Sequence, residues 1–186
     1  MSQREVALSR GGPNTSAPRE EGESIPRVPV PEDRRDLPGE FRHRKVIEVR
    51  FADTDAMGHV NNAKYLTYME TARTRYIEEV VLGEPMRLGV YGELSFIVAD
   101  VRLAYRSPAH YGETLTVETR TSGIGRTSIR MDHRITAPDS PVGRPRLVAV
   151  CESVLVRYDY GSEAPVPVSP QEIQRIEAFE GRSLHH

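Results

Sequence analysis

The chain has 186 residues, which suits one ordinary domain with a tail and is too short for two full catalytic domains. Its 25 Lys and Arg residues nearly balance its 27 Asp and Glu residues, and the net charge of −2 gives no electrostatic reason to expect nucleic acid or an acidic membrane surface as a partner. The single cysteine excludes an internal disulfide, the lack of a Cys and His cluster predicts no metal site, and the lack of a signal-like or membrane-length apolar segment predicts a cytoplasmic protein.

Residues 1–40 differ in composition from the rest of the chain. This segment is rich in Pro, Gly, Ser and charged residues of both signs, and it has few large apolar side chains. Because it cannot bury enough apolar surface to offset the entropy lost on ordering, we predict a disordered tail. The sequence therefore predicts three segments, namely the tail 1–40, a folded domain 41–162, and a C-terminal helix and tail 163–186.

A strand, a loop and a long helix are predicted next. Residues 45–51 alternate in the manner of a half-buried strand, with Ile47, Val49 and Phe51 on one face. Residues 52–62, rich in Asp, Asn and Gly, indicate a loop that leads into a helix over 63–82. Apolar residues recur along one face of that helix at Tyr65, Met69, Ala72, Tyr76 and Val80. The helix is predicted to end at Gly83 and Pro85.

The rest of the domain is predicted to consist of strands. Apolar and β-branched residues indicate strands at 95–105, 113–121, 127–136 and 146–158, with a hairpin turn at 122–126. Ser169 as N-cap and Pro170 at the first helical position begin a short helix that runs to about Glu180. One strand, one long helix and about four further strands indicate an α+β fold, in which an antiparallel sheet wraps around one central helix.

The loop and the start of the helix carry a combination of motifs. Its members are Asp53-Thr54-Asp55, Gly58-His59-Val60-Asn61-Asn62, Tyr65 and, on the helix, Met69-Glu70-Thr71-Ala72-Arg73. The segment resembles the signature of the 4-hydroxybenzoyl-CoA thioesterase-like family of hotdog proteins, and the likeness extends over roughly residues 43–160. The resemblance implies a single hotdog domain with about five strands, assembly into a homodimer or homotetramer, and hydrolysis of acyl-CoA without a cofactor or metal.

By this resemblance, Asp55 is the carboxylate that attacks the thioester or activates water. Thioester hydrolysis also needs a group that stabilises charge on the carbonyl oxygen. The first N–H groups of a helix have no intrahelical acceptors and lie at the positive end of its dipole. The N–H groups around Val60, Asn61 and Asn62 are therefore expected to polarise the carbonyl, and Gly58 leaves the backbone open to approach. The rival interpretation of Asp55 is a loop or capping residue.

Asp53, His59 and Glu70 are the other titratable candidates. Asp53 competes with Asp55, but the family pattern favours a role in anchoring the loop through backbone N–H groups. His59 is either a general base or a structural hydrogen-bond partner, and we treat it as a supporting residue. Glu70 is the main rival, because another branch of hotdog thioesterases takes its catalytic carboxylate from the helix. The alternative for Glu70 is an ion pair with Arg73, three residues further on.

Further residues are candidates for contact with the substrate or for support of the site. Tyr65 is a candidate for lining an acyl tunnel, together with Tyr68 and Tyr76, and the alternative for all three is a place in the core. Asn61 and Asn62 are expected to fasten the loop or cap the helix.

Arg126, Thr127 and Ser128 lie at a predicted turn, where they are candidates for holding the phosphates of CoA. Arg106 lies at another turn and is a candidate for the same reason. The alternative for these residues is an ordinary solvated surface. Cys151, inside a predicted strand, is expected to be a buried small apolar residue.

Two other functions stay open. A hotdog hydratase or dehydratase that acts on acyl-CoA or acyl carrier protein would use a His with an acidic partner, and the sequence has no matching His- and proline-rich motif. A hotdog module that binds an acyl-CoA or a protein partner without catalysis is the second alternative. Both CoA and acyl carrier protein are open as carriers of the acyl group, and Asp55 is open as nucleophile or general base.

Overall fold

The computed structural model describes residues 37–86, 95–138 and 143–184 of the chain. Its strands are β1 (His43–Glu48), β2 (Ser95–Tyr105), β3 (Thr114–Ile124), β4 (Ser128–Ala137), β5 (Arg146–Asp159) and β6 (Ala164–Pro165). Its helices are α1 (Asn62–Tyr76), continued by a π-helical segment (Ile77–Leu82), and α2 (Pro170–Glu180), and a 3₁₀ turn covers Phe51–Asp53. The tail predicted for 1–40 lies outside the described residues except at 37–40, and the boundary predicted at 162 stays a prediction.

Five strands form an antiparallel sheet in the order β1-β3-β4-β5-β2, and β6 pairs with the last residues of β5. Helix α1 packs against one face of this sheet and contacts β1 and β3. The arrangement confirms the predicted α+β hotdog fold. Within the described ranges, no helix is both long enough and apolar enough to span a bilayer.

The apolar face predicted for the long helix is confirmed. All five of its positions are at most 6% exposed: Tyr65, Met69, Ala72, Tyr76 and Val80. The first half of α1 shares a buried cluster with Leu115, Val117 and Ile135 of the sheet. The last residue of α1, Tyr76, and the π-helical segment share another cluster with sheet residues and with α2. Helix α1 therefore runs along the sheet with its start at one end of the core.

Both ends of the long helix are capped. The Asn61 side chain accepts a hydrogen bond from the Ala63 N–H at 2.9 Å, which confirms the capping role predicted for this residue. At the other end, Gly83 adopts a left-handed conformation with φ of 75°, as the predicted stop requires. Arg175 of α2 donates to the Val81 carbonyl at 3.2 Å, so α2 helps to satisfy the last carbonyls of the helix.

Two local predictions for the strands are corrected. Phe51 was expected on the same face as Val49, which is buried, but Phe51 is 76% exposed. The reason is that β1 ends at Glu48 and the chain enters a 3₁₀ turn, which breaks the alternation of side chains. The hairpin turn is shorter than predicted because β3 extends to Ile124, with a shift of register after Thr121.

Helix α2 begins and ends where the sequence indicated. The Ser169 hydroxyl accepts from the Glu172 N–H at 3.3 Å, and the Glu172 carboxylate accepts from the Ser169 N–H at 2.7 Å, which makes a capping box. At the far end, Glu180 accepts a hydrogen bond from the Tyr76 hydroxyl at 2.6 Å and another from the Thr121 N–H at 2.8 Å. The last residue of α2 is thereby bonded to both α1 and the sheet.

Candidate active site

The Asp55 carboxylate lies in a tight turn just before α1. The Asp55 N–H donates to the His59 carbonyl at 3.0 Å, and the Gly58 N–H donates to the Asp55 carbonyl at 3.0 Å. Gly58 has φ of 82°, a conformation that favours glycine at this corner. The Met57 N–H donates to Asp55 Oδ1 at 2.9 Å. The turn therefore fixes one oxygen of the carboxylate, and no described residue hydrogen-bonds the other.

His59 lies beside the same carboxylate. Its Nδ1 is 3.7 Å from Asp55 Oδ1, and the two side chains are 32% and 27% exposed. That separation is too long for a hydrogen bond but close enough for electrostatic interaction. Both side chains are therefore open to a ligand that reaches the turn.

Asp53 occupies a closed environment. Its side chain is fully buried, and its two oxygens accept from the Arg50 side chain at 2.8 and 3.1 Å and from the Arg50 N–H at 3.1 Å. Lys64 Nζ is 3.7 Å away. Hydrogen bonding to the Arg50 guanidinium lowers the pKa of Asp53 to about 2, although burial acts in the opposite direction. The contacts agree with the anchoring role and leave Asp53 no open side toward a substrate.

Two of the three N–H groups predicted to polarise the substrate carbonyl are hydrogen-bonded within the chain. The Val60 N–H donates to the Ala109 carbonyl at 2.7 Å, and the Asn61 N–H donates to the Asp53 carbonyl at 2.9 Å. The expectation that these two amides polarise a substrate carbonyl is therefore wrong, because each already has a backbone acceptor. Asn62 is the first helical residue, and no acceptor for its N–H lies among the described residues.

Tyr65 and Glu70 lie in contrasting places on α1. Tyr65 is 2% exposed, and its hydroxyl accepts from the Ala109 N–H at 3.2 Å, so its polar atom supports the loop after β2. Glu70 is 66% exposed, and its carboxylate is 3.7 Å from the Arg73 guanidinium, which matches the predicted ion pair. Neither side chain hydrogen-bonds a residue of the Asp55 turn within the described ranges.

The turn Arg126–Ser128 lies at the other end of the sheet from Asp55. The Asp55 turn contacts the loop that precedes β3, whereas Arg126 lies two positions after the last residue of β3. An 11-residue strand spans roughly 35 Å, so the structure does not bring these two regions together within one chain. Arg126 is exposed, Thr127 and Ser128 are half-buried, and the carbonyl of Arg126 accepts from the Val168 N–H.

The loop after β2 holds residues that sequence reasoning missed. His110 Nδ1 lies 3.2 Å from the Gly58 carbonyl, and the Ala109 carbonyl binds the Val60 N–H. Glu113, 1% exposed, accepts from the His110 N–H and pairs with Arg146 at 2.7 Å. His110 is 52 positions from Gly58, and no periodic pattern in the sequence links them.

Cys151 lies outside this site. It is 2% exposed, and burial raises the pKa of its thiol to about 12, as suits the small apolar core residue that was predicted. Within the part of the chain that the structure describes, no group of three or more His, Cys, Asp or Glu side chains has the geometry to hold a metal ion.

Comparison with known proteins identifies the family. Residues 49–176 match the thioesterase-like superfamily. The Bacillus subtilis protein YneP, provisionally named an acyl-CoA thioesterase, is 41% identical over 78 residues. This match spans 41% of the chain and 54%, about half, of the length of YneP. The 1,4-dihydroxy-2-naphthoyl-CoA hydrolase of Synechococcus elongatus is 26% identical over 75% of the chain and 98% of its own length.

A solved thioesterase structure is similar to this chain over most of its length. A thioesterase from Thermus thermophilus, crystallised with coenzyme A and zinc, is 35% identical, with a TM-score of 0.63. The alignment covers 77% of this chain and 98% of the Thermus chain. The chain therefore belongs to the thioesterase-like superfamily and is a thioester hydrolase.

Proposed function

We propose that the chain hydrolyses an acyl-CoA to a free carboxylic acid and CoA, with Asp55 as the catalytic carboxylate. One observation carries this proposal: a partly exposed carboxylate with one oxygen free of partners among the described residues lies in the turn that leads into α1. Asp53, the competing carboxylate, is buried and bonded to Arg50. Only Asp55 of the pair is therefore placed to meet a substrate.

The Asn62 N–H is the proposed electrophilic group. It lies at the positive end of the α1 dipole and has no acceptor among the described residues, so it is suited to donate to the oxygen of a thioester carbonyl. Gly58, with no side chain, leaves the adjacent backbone open. Polarisation by Asn62 makes the carbonyl carbon more electrophilic as negative charge develops on its oxygen.

Two chemical routes are consistent with this geometry. In the first, Asp55 takes a proton from a water molecule while the water oxygen attacks the carbonyl carbon, and the CoA thiolate leaves. In the second, Asp55 attacks directly, the thiolate leaves, and water hydrolyses the resulting mixed anhydride. In both routes, His59 is a supporting residue that interacts electrostatically with the Asp55 carboxylate beside it. A single turnover in ¹⁸O-water reveals the second route when water attacks Cγ of Asp55 in the anhydride, because the label then enters Asp55 and the released acid is unlabelled. The first route labels only the released acid, and so does attack of water at the acyl carbon of the anhydride.

CoA is the proposed carrier of the acyl group, and the site is proposed to lie between subunits of a homodimer or homotetramer. The names of two relatives and the coenzyme A bound to the Thermus protein support the choice of carrier. Because Arg126–Ser128 lie far from Asp55 in one chain, they would hold CoA phosphates for the site of a second copy. Strand β2 pairs on one side only among the described strands and exposes Val98, Val101 and Tyr105, which supports such assembly.

The test is release of CoA from a panel of acyl-CoAs, followed with a thiol reagent. The panel runs from acetyl to palmitoyl and includes benzoyl and phenylacetyl forms. We expect Asp55→Asn to lower kcat by about 10²–10⁴-fold, the range for loss of a general base, and Glu70→Gln to leave it within a few-fold. Full activity of a folded Asp55→Asn protein would overturn the assignment, and loss of activity in Glu70→Gln would move it to the helix. No release from any acyl-CoA would overturn the choice of carrier.

A further inference from the structure

The direction of the Asp55 carboxylate depends on a small turn with little support of its own. Residues 55–59 are closed by two backbone hydrogen bonds, and Met57 at its tip is 80% exposed. A Cβ added at Gly58 would meet no atom within 4 Å, so no described residue fills the space where a side chain at position 58 would lie. The direction of the turn relative to the rest of the fold therefore depends on a contact made to it from outside residues 55–59.

His110 supplies that contact. Its Nδ1 lies 3.2 Å from the Gly58 carbonyl, at the corner of the turn. Within the described ranges, it is the only side chain from outside residues 55–59 that hydrogen-bonds a residue of the turn. The neighbouring Ala109 carbonyl accepts from Val60 at 2.7 Å, so two successive residues hold the turn and the residue that follows it.

The segment that carries His110 is itself fixed from the core. The His110 N–H donates to Glu113 Oε2 at 2.8 Å. Both oxygens of the buried Glu113 pair with Arg146 at 2.9 and 2.7 Å, and Arg146 also donates to the Pro108 carbonyl at 2.8 Å. A bidentate buried pair has a narrow range of geometries. The position of the His110 backbone, from which the ring extends, is therefore set by the start of β5 and not by the exposed turn.

We propose that His110 is a positioning residue for the thioester hydrolase reaction, which fixes the Asp55 turn by donating its Nδ1–H to the Gly58 carbonyl. The inference rests on the proposed role of Asp55. His110 touches Gly58 and not the reacting atoms, so it acts on the rate through the direction of the Asp55 carboxylate. A small misplacement of a catalytic group is enough to lower a rate by about 10²-fold.

Two substitutions of similar shape test the donated hydrogen bond. In His110→Asn the side-chain nitrogen is attached to Cγ, as Nδ1 is in histidine, so it can donate from nearly the same place. His110→Leu has a similar shape and no donor. We expect His110→Leu to lower kcat at least 10-fold with KM changed by less than about 3-fold, and His110→Asn to keep kcat within about 3-fold of the wild type. Equal activity of all three proteins, or an equal loss in both variants, would overturn the proposal.

A second measurement does not depend on activity. Amide hydrogen exchange of the peptide that contains residues 55–59 reports the turn directly, since the N–H groups of Asp55, Met57 and Gly58 are hydrogen-bonded within it. We expect faster exchange in His110→Leu than in the wild type and His110→Asn. Unchanged exchange in His110→Leu would overturn the proposal that His110 fixes the turn, even if the protein hydrolysed no acyl-CoA. An active wild type with an inactive Asp55→Asn but normal His110→Leu would overturn this inference alone.

Discussion

Asp53 and Asp55 are identical side chains two positions apart, and the chain places them in opposite environments. The Asp53 carboxylate is buried against Arg50, while Asp55 stands in a partly exposed turn. Asp53 also offers its backbone carbonyl to Asn61, which sets where α1 begins. One carboxylate therefore shapes the loop, and the other is open to a ligand, as its proposed catalytic role requires.

Asp53→Asn should lower stability in a manner that depends on pH. The pKa of Asp53 is lowered from 3.8 to about 2 in the folded chain, so its contribution is present above pH 4 and is lost as pH falls through 2. Since Arg50 is 68% exposed and solvent screens the pair, we expect a loss of roughly 1–2 kcal/mol at pH 7. Urea unfolding at several pH values measures it. The difference from wild type should shrink between pH 4 and pH 2.

Asp55→Asn is the matched control for that substitution. Its Oδ1 can still accept from the Met57 N–H, and its side chain is not part of the core. It should change the free energy of unfolding by less than about 0.5 kcal/mol. A loss in Asp55→Asn as large as that in Asp53→Asn would mean that Asp55, too, is a structural anchor, which would weaken its catalytic assignment.

Motif and family resemblance located the residues of the turn, but not their hydrogen bonds. The motif placed Asp55, Gly58 and Asn62 on a loop that enters a helix, and the structure has that loop. The pairing of the Val60 N–H with Ala109 depends on a segment 49 positions away, which no local pattern reveals. The same holds for His110, so the amides that remain open could be identified only from the folded chain.

Helix α1 covers a polar row within the sheet as well as apolar side chains. His133 of β4 is fully buried, with Nδ1 3.0 Å from Thr119 Oγ1 of β3 and Nε2 3.4 Å from Ser153 Oγ of β5. Burial is the main cause that lowers the pKa of His133 to about 3, with the Arg73 charge adding to it. The imidazole is therefore neutral in the folded sheet over a wide range of pH.

His133 should make the folded chain less stable as pH falls from 6.5 to 3. In that range the unfolded chain binds a proton at this residue and the folded chain does not, so stability decreases with each pH unit. The loss from this group should reach about 2 kcal/mol at pH 5 relative to pH 7. Urea unfolding of the wild type and His133→Gln between pH 5 and pH 7 measures it, and the variant should show a smaller slope.

Ile135→Val on the same strand provides a control without a titrating group. Ile135 is fully buried, and the substitution should cost about 1 kcal/mol at every pH while keeping the slope of the wild type. His43 is also buried, and burial lowers its pKa, so part of the slope in the wild type comes from β1. A wild-type slope that His133→Gln leaves unchanged would contradict the neutral state of the buried ring.

At the scale of elements, the spacing of apolar residues and the order of elements predicted more of the fold than any single residue did. The spacing of apolar residues predicted the face of α1, and the order of elements predicted the sheet. The face predicted for Phe51 was wrong because the alternation of side chains ends with the strand at Glu48. Residues 49–53 offer no turn signal strong enough to mark that point. The π-helical geometry of Ile77–Leu82 was also not predicted, since its side chains suit an ordinary helix.

Across the whole molecule, α2 closes the part of the core that α1 and the sheet leave open. Ile176 is fully buried in a cluster with Tyr76, Ile124 and Leu155, which come from α1, β3 and β5. Glu172 pairs with Arg157 of β5 at 2.8 Å. These contacts join the C-terminal helix to three other elements, although the sequence suggested a separate segment from residue 163.

Ile176→Ala should therefore destabilise the sheet and both helices together. Removing three carbon atoms from a fully buried isoleucine costs about 2–5 kcal/mol through lost burial and the cavity left behind. Because the cavity lies between α2 and the rest of the core, we expect one cooperative transition at a lower urea concentration with an unchanged m value. Far-ultraviolet circular dichroism and tyrosine fluorescence should give the same midpoint.

Gln174→Ala on the exposed side of α2 is the matched control, and it should shift the free energy of unfolding by less than about 0.5 kcal/mol. If Ile176→Ala instead produced an early transition confined to helical signal, with the midpoint by tyrosine fluorescence unchanged, α2 would be a separately folding appendage. The boundary predicted at residue 162 would then separate two parts of the chain that unfold independently. Coincident midpoints would make α2 part of one cooperative unit with the sheet and with α1, which follows the Asp55 turn, because the same cluster contains residues of all three.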